Sequence, residues 1–439
     1  MKISTIIRLI EKIGKRLLTN SMWLIIDRII RLIIGLFIGV LVARYLGPER
    51  LGIWNYCIAI FTFFIIFPSL GLEYIVPREL IKRKSEEAAI VNTSIVLKFL
   101  GATIGIVCSV VFMGIFKGFD SYLIPLIFIL TSGYLFQSFD IIDFYYQSKL
   151  EQKKSVIARM IAFIIVAAYK FYLVQSGAPL IWFVASSTID FAIGSIGLIY
   201  TFRNNPIPLN LRLFNSSIAK SLLKDSLVFS LSALVVVLYY KIDQVMITEI
   251  LGEEQNGIYS VAIRIYELIT FLPAILVSSF LPVNTESFMS DETLFRASLK
   301  QLYAIITYLA IVFTFGAWFF GPWIMNALYG VDYEGSGKIF QLVGLGFYFI
   351  FMGMATSNYL IVRNMKKFIL FKSMIGLLLN VALNLWLIPK IGLVGAAVAS
   401  IASNFVSTFL ILLLKENHGH LELILSPFNI KSIKRFIKY

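Results

Sequence analysis

The chain has 439 residues, of which 59% are apolar and only 15% are charged, with a net charge of +14. Soluble domains carry about 25% charged residues, and a soluble globule could not hide this much apolar surface. The composition therefore predicts an all-α polytopic membrane protein. Both histidines (His418, His420) lie near the C-terminus and both cysteines (Cys57, Cys108) lie in apolar stretches. We therefore expect no metal cluster, no histidine-based catalytic triad and no disulfide framework.

Twelve membrane spans are predicted along the chain. Each is a window of about 20 apolar residues, the length that crosses a hydrocarbon core of ~30 Å. The first six cover 21–45, 51–76, 88–116, 122–146, 155–174 and 180–202. The last six cover 226–248, 257–282, 302–320, 338–361, 368–388 and 393–414. The stretch 321–337 between the ninth and tenth spans is expected to be a loop or a half-helix.

The spans group into two predicted lobes. An N-lobe over 20–202 and a C-lobe over 225–414 are joined by a polar linker over 203–224. Residues 1–19 place isoleucines near one helical face and basic residues elsewhere, which predicts a helix lying on the inner leaflet. Residues 415–439 form a basic tail that we also expect in the cytoplasm.

The distribution of Lys and Arg orients the spans. On the side of the N-terminus the loops and tails hold 26 such residues, and the loops on the opposite side hold five. Because basic loops stay in the cytoplasm, both termini of this multi-pass membrane protein are predicted to be cytoplasmic. The charge of +14 is then a topology signal, and we expect no nucleic-acid partner.

A short repeat supports the division into halves. Residues 46–54 read LGPERLGIW and residues 251–259 read LGEEQNGIY, with five matches at a constant offset. Each copy lies in the predicted outer hairpin between the first and second spans of its half. Equal position and orientation favour a parallel repeat about an axis along the membrane normal.

Charges deep inside predicted spans are the main functional evidence, since each is costly in hydrocarbon. Such a charge needs a partner of opposite sign or a water-filled cavity. The candidate cavity cations, for binding substrate, are Arg31, Lys98, Lys241 and Arg264. The candidate carboxylates, for a coupling ion or for pairing, are Asp27, Asp190, Asp243 and Glu267.

Structural pairing and cavity lining both remain open for most of these charges. Asp27 precedes Arg31 by four residues and Glu267 follows Arg264 by three, which are helical neighbour spacings. Asp243 follows Lys241 by two. Lys98 has no local partner, which favours a cavity position. Charges near span ends are expected to snorkel or to pair locally: Glu73, Asp143, Arg159, Lys170 and Lys372.

Three segments together resemble the Wzx-type polysaccharide flippases. They are YYQSKLEQKK at 145–154, IDQVMI at 242–247 followed by GIYSVAIRI at 257–265, and NVALNLWLIPKIGLVGAA at 380–397. The resemblance covers nearly the whole chain, and the last segment is the most specific. One departure is Ser148, where the family often has Gly.

The resemblance implies the multidrug/oligosaccharidyl-lipid/polysaccharide exporter superfamily, with two six-helix lobes around a central cavity and alternating access. It implies an oligosaccharide repeat unit on undecaprenyl diphosphate, moved to the outer leaflet for O-antigen, capsule or exopolysaccharide synthesis. Membrane lipids are implied partners, with a polysaccharide polymerase and chain-length proteins as further possible ones. Such a transporter needs no cofactor and is not an enzyme. Buried cations also make physical sense, because Arg and Lys hold diphosphates well.

The main alternative is a cation-coupled multidrug exporter of the same superfamily, which predicts an acid-rich cavity. A lipid II flippase is less favoured because that branch typically has fourteen helices. A membrane polymerase or ligase for the same glycolipids usually carries a large extracytoplasmic loop, and every predicted outer loop here is short.

Overall fold

The computed structural model describes residues 3–413 and 420–428, with side chains described from residue 22 onward except at 228, 232, 366 and 413. The amphipathic face predicted for 1–19 and most of the tail predicted for 415–439 lie outside this part. Within it the chain is helical and has no strand, which confirms the predicted all-α class. The helices are α1 (Ile3–Phe64), α2 (Ile66–Ser69), α3 (Leu72–Lys82), α4 (Glu87–Lys117), α5 (Leu123–Gln137), α6 (Ile141–Lys149), α7 (Lys153–Gln175), α8 (Leu180–Phe202), α9 (Ser216–Leu251), α10 (Glu253–Ser290), α11 (Glu292–Tyr329), α12 (Ser336–Leu345), α13 (Phe347–Val362), α14 (Lys366–Ile391), α15 (Leu393–Phe409) and α16 (His420–Leu425).

Ten of the twelve predicted spans coincide with helical segments long and apolar enough to cross a membrane, among the residues that the structure describes. The tenth span is a bent pair, since α12 and α13 meet at 44°. The first two predicted spans fall on α1, α2 and α3, where the chain is helical through most of both ranges. The stretch 321–337 is helical as far as Tyr329, where α11 ends.

Two further predicted spans are broken, and the hairpin predicted between the first two spans is a bend within one helix. α1 bends at Gly47, whose φ of 73° lies in the left-handed region that Gly adopts without steric cost. Leu70 and Gly71 also have positive φ and separate α2 from α3. A short 3₁₀ turn over Ser138–Asp140 joins α5 to α6 inside the fourth predicted span. The breaks at 70–71 and 138–140 interrupt the helix inside predicted spans, which is tolerated where protein or a cavity surrounds the freed backbone groups.

The helices divide into two compact units. Unit 1 contains the chain up to Leu46 and Cys57–Leu234, and unit 2 contains Gly47–Tyr56 and the chain from Val235. The predicted N-lobe included 47–56, and the predicted C-lobe began at 225. The unit bounds differ from these because 47–56 packs on the start of α10 and because the first half of α9 packs with unit 1.

In unit 1 the predicted linker is fastened to α4. Asn92 donates to the Pro208 carbonyl at 2.9 Å and accepts from the Asn210 amide at 2.8 Å. Ile207 of the linker also joins a buried apolar cluster formed mainly by α3, α4 and α6. These bonds satisfy backbone groups of an irregular segment, so the linker is an ordered part of unit 1.

In unit 2 the two copies of the repeat pack against each other. A Cβ added at Gly52 would lie 1.7 Å from the Glu253 carbonyl oxygen, and one at Gly257 would lie 1.9 Å from the Pro48 carbonyl oxygen. The two contacts have the same spacing within each copy and are therefore reciprocal. Asn256 strengthens the junction by donating to the Gly52 carbonyl at 3.0 Å. We call this junction of 47–56 with the start of α10 the repeat clasp.

Candidate functional site

Unit 1 contains a charged cavity of about 330 Å³ within the membrane-spanning helices. α1, α7 and α8, together with the junction between α5 and α6, form its walls. The residues that line it are Asp27, Arg28, Arg31, Gln137, Asp140, Arg159, Ala162, Asp190, Phe191, Gly194, Ser195 and Leu198. Three arginines and three aspartates are therefore gathered around one space in helices that are otherwise apolar.

Local helical spacing accounts for the walls that α1 and α8 contribute to this cavity. Residues four apart share a helix face, which places Asp27 beside Arg31 on α1 and Asp190 above Gly194 on α8. Small residues such as Gly194 and Ala162 leave the space that the charged side chains enter. Helical spacing therefore explains part of the lining, whereas Asp140 comes from the turn between α5 and α6.

Arg31 is both paired and cavity-lining. Its Nε donates to both carboxylate oxygens of Asp27 at 2.9 Å, as the spacing of four predicts. The guanidinium also lies 4.9 Å from the centroid of the Phe163 ring. Both side chains keep part of their surface exposed (28% for Arg31, 20% for Asp27), so the pair faces the cavity.

Arg159 also lines the cavity, although its place near a span end predicted snorkelling or local pairing. Its Nη2 lies 2.9 Å from Asp140 and 3.3 Å from Asp143. Asp143 also accepts a hydrogen bond from Ser155. Two carboxylates thus fix one arginine at the cavity wall through charge-assisted hydrogen bonds, which are stronger than neutral ones.

Lys98 does not line the cavity. It is 4% exposed, and its Nζ lies 3.7 Å from Asp140 Oδ2 and 5.4 Å from the centroid of the Phe144 ring. The partner that the sequence did not reveal is therefore 42 residues away, on the turn between α5 and α6. Lys98 therefore contacts Asp140, which lines the cavity, and does not line the cavity itself.

Unit 2 holds a second polar centre at Asp243, which is 8% exposed. Its carboxylate accepts from Tyr259 at 3.0 Å, from Asn384 at 2.6 Å and from Ser400. Asn384 also donates to Asn380 at 3.1 Å. These donors are neutral and come from α10, α14 and α15, so several helices converge on one carboxylate of α9.

A small cavity of about 60 Å³ adjoins Asp243. Its walls include Tyr239, Tyr266 and Asn404, and space of this size holds a few water molecules or one small cation. The Oδ1 atom of Asn384 is buried and accepts no hydrogen bond. A buried acceptor without a donor is costly, and here it lies on the side chain that contacts Asp243.

The other candidates of unit 2 adopt a pairing that sequence spacing did not predict. Lys241 pairs with Glu267 at 3.0 Å, across α9 and α10, instead of with Asp243. Arg264, three residues before Glu267, is on an exposed face of α10. Asp243 and Glu267 both line the small cavity, whereas Lys241 and Arg264 are not among its lining residues.

Sequence reasoning missed Arg28, Gln137 and Asp140 and underrated Arg159. A usable signal existed, because Asp140 and Arg159 are charges in predicted spans and Arg28 lies next to Asp27. The sequence shows how deep each charge lies in a span. It does not show the rotation of each helix, which decides whether the side chain faces the cavity. In the described residues no group of three or more His, Cys, Asp or Glu side chains is placed to hold a metal ion.

Comparison with known proteins now adds to this geometry. The model of a family described as "Polysaccharide biosynthesis protein" matches residues 17–288. The chain belongs to this polysaccharide biosynthesis family. The match covers every residue that lines the charged cavity of unit 1, together with Asp243 and Tyr259 of unit 2. No curated protein sequence matches the chain.

Solved structures share the fold of this family member. An inward-facing multidrug resistance MATE family transporter of the MOP superfamily superposes with a TM-score of 0.72 and 15% identity, covering 94% of this chain and 99% of that one. The lipid II flippase MurJ, in an inward closed conformation, gives 0.72 and 17%, covering 96% and 93%. A MOP superfamily transporter from Pyrococcus furiosus gives 0.64 and 14%, covering 94% and 96%. The chain is therefore a multi-pass membrane protein with the MOP transporter fold.

Proposed function

We propose that the protein flips undecaprenyl-diphosphate-linked oligosaccharide repeat units from the inner to the outer leaflet of the cytoplasmic membrane, by alternating access. The product would feed synthesis of a surface polysaccharide such as O-antigen, capsule or exopolysaccharide, and a polymerase and chain-length proteins would act next. The chain itself makes and breaks no covalent bond in this scheme, so we assign it no enzymatic activity. Its termini are assigned to the cytoplasm.

The observation that carries the proposal is the set of membrane-embedded arginines in unit 1, in a chain of the polysaccharide biosynthesis family. A lipid diphosphate keeps its negative charge as it crosses, and that charge must be held by cations in a medium of low dielectric. Arg28, Arg31 and Arg159 line one space and can each donate several hydrogen bonds to phosphate oxygens. Arg31 is thus retained as a substrate-binding residue.

The remaining candidates receive different roles in the proposal. Lys98 acts behind the cavity wall through Asp140. Lys241 and Arg264 of unit 2 are assigned to contacts with the anionic sugar or diphosphate later in the transport cycle. Asp27 and Asp190 of unit 1 balance the arginines while the cavity is empty, and Glu267 holds Lys241.

We assign the coupling ion to Asp243. It is a buried carboxylate held by neutral donors beside a cavity of suitable size, and Asn384 offers an acceptor atom without a donor. A proton on Asp243 would remove its buried negative charge, and a sodium ion in the adjoining cavity would balance that charge. Release of that ion on one side of the membrane can then drive the exchange of conformations.

Deletion of the coding sequence tests the proposal in cells. The expected result is loss of surface polysaccharide and accumulation of lipid-linked repeat units on the cytoplasmic leaflet. Accessibility of the glycolipid to a membrane-impermeant lectin or periodate in inverted and right-side-out vesicles locates it. Normal polymer in a strain without a second flippase would contradict the proposal. Increased drug sensitivity with a normal glycan would favour the multidrug exporter.

Reconstitution isolates the transport step. Purified protein in liposomes is expected to move a fluorescent undecaprenyl-diphosphate oligosaccharide to the leaflet where a quencher reaches it. Arg31→Gln is expected to slow this movement per inserted molecule by roughly tenfold or more, because one charge-assisted contact is lost. An equal rate for Arg31→Gln would remove Arg31 from substrate binding.

A further inference from the structure

Asp140 bridges two cations that face different environments. Its Oδ1 accepts from Arg159 Nη2 at 2.9 Å, and its Oδ2 lies 3.7 Å from Lys98 Nζ. It stands in the 3₁₀ turn that interrupts the fourth span, between α4 and α7. One carboxylate therefore connects a cation on α4 with a cation on α7.

The two cations differ in access to the cavity. Arg159 and Asp140 line the cavity, with side chains 37% and 29% exposed. Lys98 is absent from the lining, and only 5% of its side chain is exposed, behind Asp140 and the ring of Phe144. An anion in the cavity can touch Arg159, whereas its way to Lys98 is blocked by a carboxylate of its own sign.

We propose that Lys98 is a positioning residue that sets the anion affinity of the cavity by holding Asp140. This inference rests on the proposed function and deepens it. Asp140 competes with the substrate for the guanidinium of Arg159, because both offer negative oxygens to the same donors. Lys98 offsets part of the charge of Asp140 and thereby leaves Arg159 more available to a diphosphate. Arg159 contacts the substrate, and Lys98 acts only through Asp140.

On this proposal, Lys98→Met changes the affinity of the cavity for a diphosphate. Met has a similar length and suits a buried position, so the main change is the loss of charge. Without Lys98, the negative charge of Asp140 is no longer partly offset and attracts Arg159 more strongly. Diphosphate binding is therefore expected to weaken roughly tenfold. Asp140→Asn in the same chain removes this competitor, leaves Asp143 as the other carboxylate at Arg159, and is expected to restore the affinity of the native protein or to exceed it.

Calorimetric titration of purified protein measures this directly. The probe is geranylgeranyl diphosphate, with inorganic diphosphate in a second series to separate headgroup from lipid. The fitted Kd reports affinity, and the fitted stoichiometry reports the fraction of molecules that are folded. The native chain, Lys98→Met, Asp140→Asn and the double variant are compared.

Lys372→Met is the matched control. Lys372 is also a buried lysine in a spanning helix, 5% exposed, but it belongs to unit 2 and donates to the Gly353 carbonyl and the Ser357 hydroxyl. Its substitution is expected to leave the Kd for both probes unchanged, even where the stoichiometry falls.

The outcomes separate three roles of Lys98. Weak binding by Lys98→Met with recovery in the double variant supports the proposal. Weak binding without recovery means that Lys98 touches the anion itself, and a changed stoichiometry at constant Kd means a purely structural role; either result overturns the proposal. Failure of the native chain to bind either probe overturns it as well. The deletion strain judges the flippase function separately, since anion binding can follow the predicted order even if the glycan is normal.

Discussion

At the scale of single residues, Asp243 offers the sharpest test of ion coupling. Asp243→Asn keeps the shape and can keep hydrogen bonds to Tyr259 and Ser400, so the protein should fold. It removes the negative charge that binds the ion. Transport per inserted molecule is expected to fall about tenfold or more and to become insensitive to the driving gradient.

Transport in liposomes with imposed proton or sodium gradients measures this effect. The native chain should respond to one of the two gradients, which identifies the ion. Asp243→Ala is the structural comparison, since it leaves the buried donors of Tyr259, Asn384 and Ser400 without an acceptor and should lower the yield of folded protein. A full gradient response by Asp243→Asn would refute the assignment.

Ion pairing was predictable from sequence only within one helix. The spacing of four correctly joined Asp27 to Arg31. The pairs Lys98–Asp140 and Lys241–Glu267 join different helices, and no local spacing encodes them. Hydropathy reports how deep a charge lies and not which way its helix is turned. The sequence could therefore identify which charges need a partner or a cavity, but it could not assign a role to each one.

At the scale of elements, the repeat clasp depends on glycine for close backbone approach. Gly52→Ala would place a methyl group 1.7 Å from the Glu253 carbonyl oxygen, so the two segments must separate. Such overpacking costs about 1–3 kcal/mol, which exceeds the ~1 kcal/mol that Ala contributes to a helix relative to Gly. The unfolding temperature is expected to fall by a few degrees.

Gly316→Ala provides the comparison for the clasp. Gly316 lies within α11, and no atom lies within 4 Å of an added Cβ. The unfolding temperature of this variant should rise slightly or stay constant, because only the helix propensity changes. Differential scanning fluorimetry in detergent compares the two. Equal stability of both variants would show that the clasp relaxes without cost.

The docked tail element, α16, gives a pH dependence. His420 is 2% exposed and its Nε2 lies 3.0 Å from the Tyr303 hydroxyl. Burial, followed by the positive charges of Arg363 and Arg296, lowers the pKa of His420 to about 4. An undocked tail therefore binds a proton between pH ~6.5 and ~4 that the docked tail does not. Docking is fully favourable above pH 6.5 and weakens as the pH falls towards 4, by about 2–4 kcal/mol in total.

Hydrogen exchange of 420–428, corrected for the intrinsic rate at each pH, measures tail docking. Protection should decline through this range in the native chain. His420→Phe keeps an aromatic ring beside Tyr359 and cannot bind a proton, so its protection should not depend on pH. The same decline in both proteins would place the pH dependence elsewhere.

Ten of the twelve spans could be located from composition and hydropathy, judged on the described residues, because about 20 apolar residues are needed for each crossing. The breaks did not follow. Leu70 takes positive φ inside the predicted second span, and the turn over Ser138–Asp140 lies inside the predicted fourth span. A hydropathy window averages over such points, and the break at 138–140 is where the cavity carboxylate stands.

At the scale of the whole molecule, the sequence predicted two features: a division into halves and a fold shared with a known superfamily. The repeat predicted two halves, and the fold shared with MOP transporters agrees with the resemblance. The exchange of 47–56 into unit 2 was not foreseen. Its cause is the backbone contact between the two copies, which depends on the absence of side chains and leaves no signal in hydropathy.

The charge asymmetry makes a definite prediction about orientation in the membrane. Twenty-six Lys and Arg residues on one side against five on the other place the 203–224 linker in the cytoplasm and the 117–122 loop outside. In a background where Cys57 and Cys108 are replaced by Ser, a cysteine at Asp120 should react with a membrane-impermeant maleimide in intact cells. A cysteine at Asn204 should react only after permeabilisation. Both positions are exposed on the folded chain, so access is limited by the membrane and not by packing. Labelling of Asn204→Cys in intact cells would show that the orientation is the reverse of the one predicted. The charged cavity would then take its substrate from the other leaflet.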